Sequence, residues 1–133
     1  MSQTNADRLR AGLETFNRTG EIESTLYAPD VEIRQASSII DTAGTFSGLE
    51  GMREALGELR EAFDDLSFEA EKFIEAPASK SVVFIRVRGR GRGSGAKLEN
   101  TIGWVLTFRE EQVVRIVVYE DPAEALAAAG LSE

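Results

Sequence analysis

The most regular pattern in the chain is an alternation of apolar and polar residues between positions 81 and 121. Three stretches carry it, namely SVVFIRVRGR, then KLENTIGWVLTFR after a glycine-rich turn, and finally VVRIVVYED. Each is rich in β-branched and aromatic residues, which favour a pleated, half-buried sheet. The pattern therefore predicts three consecutive antiparallel strands, and the upstream residues are expected to cover one face of that sheet.

Apolar residues at helical spacing predict helices upstream of these strands. A first helix is expected over residues 5–17, and a short second helix carries Ile22, Leu26 and Tyr27. An extended segment follows at 31–35, where the sequence VEIRQ alternates. The N-terminal part of the chain thus supplies helical cover for the sheet and one further strand.

The strongest helical pattern covers residues 49–66, with Ser47 as its expected N-cap. The following LSFEAEKFIEA predicts a strand whose period breaks at Phe73, which indicates a bulge or the end of the strand. Asp121 is expected to cap a final short helix that ends at Gly130. Core packing is the favoured interpretation of the apolar stripe in residues 49–66, which consists of Leu49, Met52, Leu56, Leu59 and Phe63.

The amino-acid composition restricts the kinds of catalysis and binding that the protein could perform. A chain of 133 residues is expected to form one domain over 1–133, because this length is enough to bury a core. The absence of cysteine excludes disulfides and thiolate nucleophiles, and the absence of histidine removes the usual general base and metal ligand. No metal and no cofactor is expected, and any catalysis would use Asp, Glu, Tyr, Lys or Arg.

The net charge of −8 argues against nucleic acid, whose phosphates the average field would repel. No apolar run approaches the roughly 20 residues of a membrane span, so no membrane partner is expected. The polar start MSQTNADR lacks the apolar stretch of a signal peptide. These features predict a soluble cytoplasmic protein.

The order of the predicted elements, together with four phrases, resembles the nuclear transport factor 2-like superfamily and in particular its SnoaL-like, polyketide cyclase-like branch. The resemblance implies an α+β fold in which a cone-shaped, strongly curved antiparallel (mixed) sheet wraps around three N-terminal helices, with a short C-terminal helix. It also implies an apolar pocket and a homodimer formed through the outer sheet face. The phrases are YAPDVEI at 27–33, FSGLEGMRE at 46–54, RGRGRGSG at 88–95 and VVRIVVYEDPAEALAAAGL at 113–131.

The catalytic residues of characterised relatives are not matched. The resemblance places the ketosteroid isomerase tyrosine near Gly12 and its two aspartates near Ile33 and Trp104. The aspartate that limonene epoxide hydrolases carry on the last strand would fall near Val118. The isomerase reaction is therefore close to excluded, and the scaffold alone does not fix a function.

Several residues are candidates for the lining of the pocket. Alternation and the resemblance place Asn100, Trp104 and Leu106 of the strand 97–109 on the inner face. On the last strand they place Val114, Ile116, Val118 and Glu120 on the same face. Trp104 is the only tryptophan and sits where this fold contacts ligand, although simple core packing of its ring is the alternative.

Three further candidates come from the first third of the chain. Gln35 is, like Asn100, a neutral donor and acceptor that suits a polar group on a mainly apolar ligand. Tyr27 is expected to reach the pocket from the second helix. Asp41 lies in the loop expected at the mouth, and an ordinary exposed loop residue is the alternative for it.

Glu120 is the candidate for catalysis. It follows Val118 at the end of an apolar series, so an unbroken strand directs its carboxylate inward. Burial among apolar neighbours would raise its pKa and make it a candidate acid or base. A solvated residue at a strand end is the alternative.

The arginines of the strand 81–90 admit two hairpin registers. One pairs Arg86 with Asn100 and directs the arginines inward, which would make the pocket an anion site. The other pairs Arg88 with Glu99 and Arg86 with Thr101 on the outer face. Burial favours the second register, because inward arginines without partners carry a large desolvation cost.

Two functional classes remain open. The first is a pocket, binding or catalytic, for a small hydrophobic molecule of polyketide, terpenoid or steroid size. The second is a non-enzymatic dimeric interaction module whose pocket is filled by side chains. The volume of the cavity discriminates them, since below about 100 Å³ a module is favoured and above about 300 Å³ a ligand is favoured.

Overall fold

The structure is a computed structural model and describes residues 4–35 and 45–131. Within these residues, three helices accompany one sheet of six strands in the order β2-β1-β6-β5-β4-β3. β1 and β6 are parallel and every other neighbouring pair is antiparallel, so the sheet is mixed and open. The predicted α+β fold is confirmed. The elements are α1 (Asn5–Thr19), β1 (Tyr27–Gln35), β2 (Thr45–Ser47), α2 (Gly48–Ala62), β3 (Phe63–Ala76), β4 (Lys80–Gly91), β5 (Lys97–Arg109), β6 (Gln112–Tyr119) and α3 (Pro122–Ala128).

The ends of the first and last helices follow from local capping chemistry. The Thr4 hydroxyl accepts a hydrogen bond from the Asp7 backbone N–H at 3.1 Å, which satisfies one free donor of the first turn of α1. Gly20 adopts φ 81° and donates its N–H to the Phe16 carbonyl, which ends the helix. The Asp121 carboxylate caps α3 by accepting from the Ala123 N–H at 2.9 Å.

The predicted second helix does not form. Leu26 lies in a turn and Tyr27 begins β1, which is four residues longer than the predicted segment 31–35. The turn packs directly against α1, since a Cβ on Gly12 would approach Leu26 Cδ2 to 2.9 Å. Two helices rather than three therefore precede β3 in the described residues.

The main core lies between the inner face of the sheet, α1 and α2. Leu9, Leu13 and Phe16 supply the stripe of α1, and the sheet contributes residues such as Ile85 and Leu106, both 0% exposed. α2 contributes only Met52 as a fully buried residue. Leu49 and Leu56 of its stripe are half-buried, and Leu59 is 38% exposed. The stripe of α2 is therefore core at its start and only partly covered towards its end.

α3 packs on the opposite, outer face of the sheet. Ala125 and Leu126 are buried there against Val82 and Val105 in a second apolar cluster. The helix approaches so closely that a Cβ on Gly103 would lie 2.6 Å from Ala125 Cβ. Part of the outer face that the sequence left to a dimer partner is thus covered by the chain's own last helix.

The β4–β5 register is the second of the two alternatives, with Arg86 opposite Thr101 and Arg88 opposite Glu99. The outward direction of the arginines is therefore confirmed. Arg86 donates to Glu71 at 2.9 Å, and Arg88 donates to Glu99 at 3.0 Å. The basic side chains are paired on the outer face, and the inner face stays apolar.

Two irregularities in the strands bear on the inner face. The break expected near Phe73 is a bulge in β3 between Ala70 and Lys72. A second bulge, in β6, was missed. Thr107 pairs with Arg115 and Phe108 with Val113, so Val114 is the extra residue and Val113, 0% exposed, lies in the core instead. The prediction that Val114 faces inward is therefore wrong, because the bulge shifts the alternation by one residue.

Candidate ligand-binding site

A cleft of about 600 Å³ lies between α2 and the inner face of the sheet. Its walls come from every strand except β2 and from the stretch of α2 between Met52 and Leu59. Four of its lining residues are polar, namely Gln35, Asn100, Thr101 and Glu120. The others are apolar: Ile33, Met52, Ala55, Leu56, Leu59, Phe63, Leu66, Phe68, Val87, Leu98, Ile102, Trp104, Ile116 and Val118.

A row of aromatic rings connects the cleft to the core. The Phe68 ring lies 5.6 Å from the Phe16 ring and 5.9 Å from the Trp104 ring, both in tilted arrangements that suit aromatic quadrupoles. Phe68 is held by α1, because the Asn17 side chain accepts from its N–H and donates to its carbonyl, each at 2.9 Å. The aromatic side of the cleft is thus fixed by α1 and β3 together.

Trp104 combines a packing role with an unusual polar atom. On β5 it stands opposite Val83 of β4 and Val118 of β6, and its ring is only half-buried. Its indole nitrogen Nε1 is buried and has no hydrogen-bond partner among the described residues. Buried indole N–H groups normally find a partner, so this donor is an unsatisfied group beside the cleft.

The polar lining residues sit together at one edge of the sheet. Gln35 is the last residue of β1 and Glu120 directly follows β6, while Asn100 lies near the start of β5. Because β1 and β6 are parallel and β5 runs antiparallel to β6, these three positions meet at the same edge. All three are exposed, so they form a polar rim above an apolar interior.

The other residues predicted for the pocket lie elsewhere. Leu106 faces inward but is 0% exposed and belongs to the core rather than to the cleft wall. Tyr27 is 4% exposed at the start of β1, remote from the rim at the other end of that strand, and its burial raises the pKa of its phenol. Neither lines the cleft. Asp41 lies outside the described residues.

Glu120 has the predicted direction but not the predicted environment. It lines the cleft on the same face as Val118, as the alternation requires. It is nevertheless exposed, because β6 ends at Tyr119 and the chain turns towards α3. The apolar burial on which its acid–base role was argued is therefore missing, and that role stays a prediction.

Sequence reasoning missed the wall formed by α2 and β3. Leu59 and Phe63 were assigned to a helical core stripe and Leu66 to the end of the same helix, whereas α2 ends at Ala62 and β3 begins at Phe63. The available signal was the length of the stripe, whose five apolar residues continue past the end of α2.

A sequence profile for the SnoaL-like domain matches residues 8–116, which is most of the chain. The chain belongs to the SnoaL-like domain family. The predicted membership of this branch of the nuclear transport factor 2-like superfamily is therefore confirmed. No curated protein matches this SnoaL-like domain.

Solved structures with the same fold are distant in sequence. A hypothetical protein of Catenulispora acidiphila with a ketosteroid isomerase-like fold, in complex with trimethylamine, is 16% identical with a TM-score of 0.69 over 98% of this chain and 95% of that one. TerC, co-crystallised with polyporic acid, is 21% identical with a TM-score of 0.73 over 94% and 96%. A protein of unknown function from Xanthomonas campestris with a cystatin-like fold is 15% identical with a TM-score of 0.69 over 88% and 90%. At these identities the likeness shows the fold alone.

The three positions to which the resemblance assigned the isomerase pattern differ in their surroundings. Gly12 is buried, and a Cβ at that position would lie 2.9 Å from Leu26 Cδ2. Ile33 and Trp104 both line the cleft and contribute apolar side chains to it. No group of three or more acidic side chains within residues 4–35 and 45–131 could hold a metal ion. No helix of the same residues is long and apolar enough to cross a membrane.

Proposed function

We propose that this SnoaL-like domain binds a small, mainly apolar organic molecule in the cleft between α2 and the sheet. The observation that carries the proposal is the cleft of about 600 Å³, which lies within the range of small-molecule sites and is lined mostly by apolar side chains. Leu59, 38% exposed at its edge, is the apolar surface that a ligand would cover. A cytoplasmic location stays a prediction.

The competing interaction-module function requires a pocket filled by side chains. The volume of the cleft argues against it, because packed interiors leave few voids larger than a water molecule. Two distant relatives of the same fold are described with small organic molecules, trimethylamine and polyporic acid. Both points support a ligand-binding cleft over a filled one.

Catalysis by a lone carboxylate, as an isomerase, cyclase or hydrolase, has Glu120 as its candidate group. Glu120 is exposed, so the apolar surroundings on which the acid–base hypothesis depends are missing. Binding is therefore the better supported activity of the cleft, and the polar rim serves to orient the ligand.

A titration that follows Trp104 fluorescence tests the proposal. Bicyclic to tetracyclic apolar probes are added to the protein, and a saturable shift of the indole emission is expected, since Trp104 is the only tryptophan and lines the cleft. Replacing Leu56 by Phe narrows the cleft from α2 and should weaken binding, while Trp104 stays the only tryptophan. Glu58→Phe, at an exposed position of the same helix, is the matched control. No response to any probe, in fluorescence and in calorimetry, would contradict the proposal.

A further inference from the structure

The charges around the cleft are distributed unevenly. Among the described residues that line it, Glu120 is the only one with a charged side chain. The remaining polar groups are the neutral amides of Gln35 and Asn100 and the hydroxyl of Thr101. The cleft therefore offers one negative charge and no positive charge to a ligand.

The sheet keeps its arginines on the other face. Arg86 and Arg88 are bound by Glu71 and Glu99 on the outer side of β3, β4 and β5. Arg115 likewise pairs with Glu32 of β1, with 3.2 Å between Nε and Oε1. These charges are directed away from the cleft and are largely neutralised by their partners.

The arginines of α2 also avoid the cleft. Arg53 pairs with Glu50 at 3.0 Å, and the Arg60 guanidinium lies 6.0 Å from the centre of the Phe16 ring. Both line a different depression, beside Gly20 at the end of α1. In the sequence, no Lys or Arg occurs between Gln35 and Arg53.

We propose that the ligand of this cleft is an amine. Its flat apolar body would lie between α2 and the aromatic side of the cleft, and its protonated amino group would lie at the rim beside Glu120. The inference rests on the proposed ligand-binding function and specifies its chemical class. A carboxylate or phosphate would meet Glu120 without a compensating cation, in a molecule of net charge −8. An ammonium group instead gains the attraction of the Glu120 carboxylate.

The strand geometry sets the size of this ligand. Trp104 stands opposite Val118, and Glu120 follows two residues along β6. Two residues of an extended strand span about 7 Å, which is the expected distance between the centre of the apolar body and the amino group. A bicyclic aromatic ring that carries an aminomethyl group has about these dimensions.

Three probes with one shared body test the class of ligand. 2-Naphthylmethylamine, 2-naphthylmethanol and 2-naphthylacetate are titrated into the protein by isothermal calorimetry at low salt. The amine is expected to bind roughly tenfold more tightly than the carboxylate, with the alcohol between them, since one exposed charge attracts the first and repels the last. Raising the salt concentration should narrow the gap, because exposed charges are screened.

Two variants test whether Glu120 at the rim causes the tighter binding of the amine. Glu120→Gln keeps the shape of the side chain, and it should reduce the amine's advantage over the alcohol to less than about twofold. Glu110→Gln removes the same charge at the β5–β6 turn, at the other end of the sheet, and should leave the advantage intact.

The outcomes separate the two proposals. If the alcohol binds but the amine gains nothing over it, or if the carboxylate binds best, the amine class is overturned and the ligand-binding function stands. If no probe binds, both are overturned. An advantage that survives in Glu120→Gln also overturns the assignment, since the long-range field and not the rim would then select the amine.

Discussion

At the scale of single residues, Trp104 is notable because its indole N–H is buried without a partner. An unsatisfied buried donor costs about 1–3 kcal/mol, which offsets part of what the ring contributes by packing on Phe68. Trp104→Phe removes the donor and keeps an aromatic ring, so the free energy of unfolding should change by no more than about 1 kcal/mol.

Urea denaturation measures this effect, with Trp104→Ala as the comparison. The alanine variant also removes the ring and should lose about 3–5 kcal/mol. A loss from Trp104→Phe as large as that from Trp104→Ala would contradict the prediction, because it would mean that the N–H is well satisfied in solution.

Glu99 is a residue whose ionisation makes the stability of the fold depend on pH. The nearby positive charges of Lys97, Arg88 and Arg86 lower the pKa of Glu99 below its ordinary value of 4.5. Since the folded state then binds fewer protons than the unfolded state, the stabilisation is present above pH 4.5 and is lost as the pH falls through the lowered pKa.

Glu99→Gln should therefore destabilise the protein at pH 7 and have a smaller effect at pH 3. Thermal or urea unfolding at both pH values measures the difference. Glu58→Gln, at an exposed position of α2, is the control and should show a smaller difference between the two pH values. Equal destabilisation by Glu99→Gln at pH 7 and pH 3 would show that its ionised form contributes nothing to folding.

At the scale of elements, the β3–β4 hairpin turn stores strain. Ala78 and Ser79 have φ of 62° and 60°, and the Lys80 N–H donates to the Pro77 carbonyl at 3.3 Å. Positive φ at both central residues defines a type I′ turn, for which Asn-Gly is the preferred pair. A side chain in this region costs on the order of 1 kcal/mol per residue.

Replacing Ala78 by Asn and Ser79 by Gly should raise the free energy of unfolding by about 1 kcal/mol. The β5–β6 turn offers an independent repetition, since Glu110 and Glu111 have φ of 50° and 71°. Urea denaturation of both double variants is the measurement. If neither turn gains stability, the left-handed backbone at these positions is not strained.

The elements that the sequence predicted well are those determined by nearby residues. The cap at Asp121 and the bounds of β5 depend on side chains within a few positions. The elements it predicted poorly depend on distant packing. Tyr27 begins a strand because β6 is there to pair with it, and helical spacing in the sequence carries no information about that partner.

The bulge at Val114 shows where the alternation of apolar and polar residues fails to predict which side chains face the core. Val113 and Val114 are adjacent and equally apolar, so composition does not choose which of the two faces the core. The hairpin register of β4 and β5 was decidable, because the wrong choice would have buried Arg86 and Arg88. Registers are therefore predictable where one phase buries charge and ambiguous where both phases are apolar.

At the scale of the whole molecule, one part of the candidate site could be predicted from the sequence and the other part could not. Alternation together with the resemblance predicted that Asn100 and Glu120 face inward, and both residues line the cleft, as does Gln35. The opposite wall of α2 and β3 was not predicted, because a cleft is the space that two layers leave between them. Whether Leu59 is core or cleft wall depends on how far α2 lies from the sheet, and no local pattern encodes that distance.

The last prediction concerns the outer sheet face, through which we expect the protein to form a homodimer. Val117 and Tyr119 are half-buried there beside α3, at a groove of about 330 Å³ that includes Arg34 and Arg115. The chain's own helix covers Val105, which is 5% exposed, so Val117 and Tyr119 form the apolar surface of this face that is left for a partner. Burying this surface against a second copy removes it from water.

Val117→Arg tests this assembly. In a symmetric interface each copy presents the same patch to the other, so one added charge per chain brings two like charges together among arginines already there. Sedimentation velocity at micromolar concentration should show a species of twice 14.5 kDa for the wild type and the 14.5 kDa species for the variant. Ala11→Arg, on the exposed face of α1, should leave the dimer intact. A wild type that sediments only at 14.5 kDa would contradict the prediction, and α3 would then be the only cover that this face requires.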